Sequence, residues 1–156
     1  MLLVFGFKTP EWRLAEAEAE SYLSYQLGKH RLNPIWATQI SKYFRSVGPL
    51  TIAEWRYCAW AAARRGAAEY LSTDGEEDAT SHAVITELLW RARQLHSGAW
   101  SNMSFVPLQR EPYTLLAQVF AQFVVPPDFD YWTSTPADWS AEQKRQATPV
   151  STEPSR

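Results

Sequence analysis

The 156-residue chain is poorly equipped for chemistry. It holds 1 cysteine and 3 histidines, and its 6 glycines are scattered singly. One cysteine excludes a disulfide framework and any multi-cysteine metal site. Isolated glycines exclude a phosphate-cradling loop, and no Gly-x-Ser-x-Gly nucleophile elbow occurs. Charge of one sign is also lacking: 15 basic against 17 acidic residues leave a net charge of −2. A protein that tracks phosphate backbones concentrates basic residues on one face, so no nucleic acid is expected as a partner. Long hydrophobic runs are missing too. The longest, Tyr113 to Val125, is 13 residues and contains Gln118 and Gln122, well short of the ~20 that a membrane-spanning helix needs. Peripheral membrane contact is the most that this pattern allows. The apolar start, Met1 to Phe7, has no basic region before it, and Lys8-Thr9-Pro10 follows it instead of a cleavage site. The expectation is an intracellular chain without a secretory signal, with an organelle or a virion equally suitable as its location.

What the chain has is aromatics: 8 Trp, 7 Tyr and 7 Phe, with 46% hydrophobic residues overall. So many large apolar groups do not stay in water, which rules out disorder for the body of the chain. The length suits a single domain.

The punctuation reads as helices. Thr9-Pro10 opens the first, whose stripe is Trp12, Ala15, Ala19, Tyr22, Leu23, Gln26 and Leu27. Gly28 is expected to close it in the left-handed conformation, with Lys29, His30 and Arg31 at the negative end of the dipole. Asn33-Pro34 and Gly48-Pro49 bracket a second helix with the stripe Trp36, Ile40, Tyr43, Phe44 and Val47. Thr51 and Glu54 form a capping box for a third, rich in alanine, which continues past Gly66 to Leu71 at a cost of about 1 kcal/mol for the interior glycine. The alanines admit a close neighbour. Glu76, Glu77 and Asp78 suit the start of a fourth helix, which ends at Gly98. Pro112 opens a fifth, apolar almost all round and therefore expected at the centre, and Pro126-Pro127 stops it. Phe105-Val106-Pro107-Leu108 reads as a short extended piece, and Thr135-Pro136 starts a short helix ending near Ala147.

Candidate sites are weak. His82 and His96 share a helix face but lie roughly 21 Å apart, too far to hold one ion. Cys58 has no lysine or histidine within a helical turn and reads as a small core residue. Glu16 and Glu20 stand at i, i+4 among other acids and read as a solvated face. Trp12-Arg13, Trp55-Arg56 and Trp90-Arg91 interleave rings and bases; helical geometry suggests each tryptophan inward and the next residue, about 100° round, in water. No catalytic residue, metal or cofactor is assigned.

The expectation is an all-α fold: a helical domain over residues 9–127 with about five helices, an apolar arm over 1–8, and a proline- and aromatic-bearing extension over 128–156. The rings of Phe129, Tyr131, Trp132 and Trp139 lie outside the long helices, so they either wrap back over the bundle or dock into a partner; the expectation is that they bind a partner, with the extension over 128–156 wrapped around it. Leu3, Phe5 and Phe7 form the second candidate contact. The function expected is a non-enzymatic accessory or structural subunit of a large assembly, its partners other protein subunits. A helical adaptor binding one partner transiently stands second, and a small helical enzyme third.

Overall fold

The computed structural model describes residues 10–100, 114–123, 125 and 129–147. Among the described residues there are six α-helices: α1 (Pro10–Lys29), α2 (Ile40–Val47), α3 (Ile52–Ser72), α4 (Glu77–His96), α5 (Leu115–Phe123) and α6 (Pro136–Ala147). No strand occurs among the described residues. The expected all-α class is what the structure has. The N-terminal arm and the extended piece at 105–108 lie outside the described residues.

The helix ends follow their local chemistry. Asn33 accepts a hydrogen bond from the Ile35 amide at 3.1 Å, and the chain then makes a 3₁₀ segment, Pro34–Gln39, before widening into α2. Gly48, at φ 95°, ends α2 in a conformation that residues with a Cβ rarely adopt. The Thr51 hydroxyl accepts from the Glu54 amide at 3.1 Å while the Glu54 carboxylate accepts from the Thr51 amide at 2.7 Å, so the capping box forms as expected. Helix α6 starts with the same reciprocal pattern: the Asp138 carboxylate accepts from the Thr135 amide at 2.7 Å, and the Asp138 amide donates to Thr135 Oγ1 at 3.3 Å. One terminus differs from expectation. Helix α1 runs through Gly28, and the reversal falls to Arg31 at φ 58°, with the Leu32 amide donating to the Leu27 carbonyl.

Helix α3 is the axis of the fold, packing against α1 and against α4. Its buried face is built of small residues, Ala59, Ala62, Ala63 and Gly66, so α4 approaches closely through Val84 and Leu88. At Gly66 the approach leaves no room: a Cβ there would stand 2.3 Å from Val84 Cγ2 and 3.2 Å from Leu32 Cδ1. The glycine is the cost of that contact in helix propensity, and it explains why the helix tolerates it. On the α1 side, Phe44 of α2 stacks on Trp55 at 4.6 Å between centroids and meets the edge of Trp12 at 6.0 Å. These rings belong to a continuous core whose members run from Leu14 to Trp139.

Helix α5 departs from the expected central position. It packs on α1, with Ala117 buried and Ala121 half-buried, while Leu115, Leu116, Val119 and Phe123 face outward. An all-apolar helix has no polar face to specify its orientation, so periodicity says nothing about which side is covered. Here the small side is.

Replacing Gly66 with Ala is expected to destabilise the protein by about 1–3 kcal/mol in urea unfolding, despite the better helix propensity. Replacing Gly28 with Ala, where nothing lies within 4 Å of the new Cβ, is expected to stabilise by up to about 1 kcal/mol.

Candidate functional site

The chemistry-bearing residues gather around Arg56. It sits in the first turns of α3, one position after Trp55, and both side chains are fully buried. The Arg56 guanidinium donates to the carboxylate of Glu18 on α1, itself fully buried. Its flat face is held between two rings: the guanidinium carbon lies 4.6 Å from the centroid of Tyr22 on α1 and 4.3 Å from that of Trp132. A charge removed from water at a cost of several kcal/mol thus meets an opposite charge and two electron-rich ring faces. Glu18 and Arg56 both make further contacts beyond this pair.

Trp132 brings in the segment that follows α5. Asp130 starts it with an Asx turn, its carboxylate accepting from the Trp132 amide at 3.0 Å. The Trp132 carbonyl then accepts from the Ala53 amide at 3.1 Å, satisfying one of the orphan donors in the first turn of α3. Tyr131 stacks on Trp139 at 5.5 Å and 9° between planes, and Trp139 Nε1 donates to Ser134 Oγ at 2.6 Å. The structure lays these rings, expected to dock into a partner, against the core of this chain. Tyr131 and Trp139 are buried by this chain itself, so neither is free to contact a partner, while Phe129 and Trp132 are half-buried against the same core. Leu3, Phe5 and Phe7 lie outside the described residues. Burial raises the Tyr131 phenol far above its usual range, with the Glu18 carboxylate adding to the effect. Its hydroxyl has no hydrogen-bond partner among the described residues.

Two other readings of the sequence are corrected. The acids of α1 are not a solvated face: Glu11, Glu16 and Glu18 are buried, and Glu16 and Glu20 line an open groove of about 400 Å³ with Arg13 and Ala17. The rule of tryptophan inward and arginine outward fits Trp12-Arg13 and fails twice. Arg56 is buried beside Trp55, and Trp90 is 47% exposed while Arg91 tucks beneath it. Arg91 is held by Glu87 at 2.6 Å, donates to the Tyr57 hydroxyl and lies 5.8 Å and 5.6 Å from the rings of Trp90 and Trp100. With Arg65 paired to Glu69 at 2.9 Å, three arginines of α3 and α4 have their charge met by an acid rather than offered to a phosphate.

Cys58 is fully buried, and desolvation, reinforced by the Glu54 carboxylate, pushes its thiol up to about 12. His82 contacts only Thr86 among the described hydrogen bonds, at 3.4 Å. No group of three metal-ligating side chains occurs among the described residues, and no described helix is long and apolar enough to cross a membrane. The outward face of α5 is the feature that sequence reasoning missed. Leu115 is 76%, Leu116 68%, Val119 46% and Phe123 75% exposed, a continuous stripe at i, i+1, i+4 and i+8. Ala117 and Ala121, four residues apart on the opposite arc, were the available signal.

The folded state holds the Cys58 proton more tightly than the unfolded chain, whose thiol titrates near 9.0. The stability from this group is therefore complete below pH 9.0 and is lost as pH rises toward about 12. Chemical denaturation across that window is expected to show a steeper fall for the wild-type protein than for Cys58→Ala, with Tyr22 and Tyr131 contributing equally to both.

No family model, no curated protein and no solved structure matches the chain.

Proposed function

We propose that the chain is a non-enzymatic accessory or structural subunit of a larger protein assembly, contributing protein–protein contacts. The observation that carries this reading is the outward face of α5. Four large apolar side chains stand in solvent on a helix that contains no charged residue. They offer on the order of 500 Å² of contiguous apolar surface, the size at which an exposed patch on a single chain is commonly a contact site. Leu3, Phe5 and Phe7 add a second apolar stretch to the same reading. Phe129 and Trp132, half-buried against the core, keep part of their rings accessible. The Trp90, Arg91 and Trp100 cluster has the residue types that most often anchor interfaces.

Fractionation by size of an extract from cells that express the protein naturally is the test. The chain is expected in a species much heavier than two copies of its 17.9 kDa. Leu116→Glu with Phe123→Glu is expected to release it to low mass while leaving its circular dichroism unchanged. Wild-type protein found only at the mass of one or two chains would contradict the reading.

A further inference from the structure

We propose that the outward face of α5 pairs with the same face of a second copy of the chain, about a two-fold axis passing close to Val119. This rests on the reading of α5 as a contact surface, and it names the occupant.

Three observations point to a second copy. The first is electrostatic. A two-fold axis sets each residue against its own kind, so a face carrying charge of one sign repels its copy. From Pro112 to Pro127 the chain has no charged residue at all, and the face is free of that penalty.

The second is shape. Ala117 and Ala121 seat α5 against the body of the protein, and the large side chains form one ridge at i, i+4 spacing, Leu115, Val119 and Phe123, with Leu116 beside it. Such ridges interdigitate between helices. In a two-fold pair of helices about 13 Å long, the smaller Val119 lies where the axes cross. Leu115 of each copy then meets Phe123 of the other. The side chains increase in bulk toward the ends, where two crossing helices diverge and leave more room.

The third is area. The four side chains supply on the order of 500 Å² per copy, and the flanking Gln118 and Gln122 bring the contact toward the roughly 800 Å² per partner of a standard interface. The two amides also give the rim the polar, uncharged character that such interfaces carry.

The test uses the full chain. Val119→Cys places a thiol next to the axis, and the only native cysteine, Cys58, is fully buried. Mild oxidation is expected to yield a disulfide-linked species of twice the 17.9 kDa chain mass. Lys42→Cys, on the exposed side of α2, is expected to yield no disulfide-linked species under the same oxidation. Without oxidation, sedimentation equilibrium is expected to show a dimer that Val119→Glu weakens by about 100-fold or more, with the helical spectrum retained. A wild-type chain that sediments as a monomer at about 100 µM overturns the proposal, as does a dimer indifferent to Val119→Glu or a Val119→Cys chain that fails to cross-link. If that monomer still fractionates in a heavy species from native extracts, the assembly reading stands and a different protein occupies α5.

Discussion

The buried guanidinium of Arg56 is the constraint on which the rest of the structure depends. An arginine cannot shed its charge, so once it is removed from water its surroundings must supply what water gave. Here α1 supplies the Glu18 carboxylate and the face of Tyr22, and the segment after α5 supplies the face of Trp132. None of these groups is useful alone. A carboxylate buried without its arginine must take up a proton, and the arginine without its carboxylate keeps a charge it cannot lose, so each of the three regions of chain is stabilised by the others. The same segment returns a backbone carbonyl to Ala53 at the start of α3 and closes the core with Tyr131 and Trp139. The C-terminal part of the described chain thus completes the domain that the first three helices begin.

Small residues decide the remaining geometry. Along α3 the alanines and Gly66 are turned toward α4, and the close approach buries Val84, Leu88 and Ala92. On α5 a pair of alanines is turned toward the body, and the bulk that would ordinarily fill a core is left facing out. The two cases use one device with opposite results. In α3 the neighbour that profits from the small face is present in the chain. In α5 the seat is internal while Leu115, Leu116, Val119 and Phe123 are left exposed, which is the physical ground for reading that helix as a contact element.

Much of this was legible in the sequence, and the division follows a simple line. Features set by residues within a turn of one another were readable: the Asn33-Pro34 start, the Thr51 and Glu54 box, the passage of α3 through Gly66, and the Thr135-Pro136 start of α6. Features set by a partner far along the chain were not. Arg56 read as solvated because it stands about 100° round the helix from an inward Trp55; the carboxylate that holds it inside lies 38 residues away. Trp90 read as buried because tryptophan usually is, yet its ring is half exposed over Arg91, whose place is fixed by Tyr57 across the helix pair. The four C-terminal rings were recognisable as a cluster needing a surface. Which surface was decided by Arg56, whose burial no local pattern announces.

Because Arg56 is held to tie the segment at residues 130–147 to α1 and α3, amide hydrogen exchange in an Arg56→Met variant is the most direct measurement. The substitution keeps the bulk and removes the charge, leaving Glu18 buried without its main counterpart. Loss of protection is expected together in residues 130–147, at Ala53, and in α1 around Glu18 and Tyr22, while the contact of α3 with α4 keeps its slow exchange. Residues 130–147 as well protected in the variant as in the wild-type protein would contradict the account.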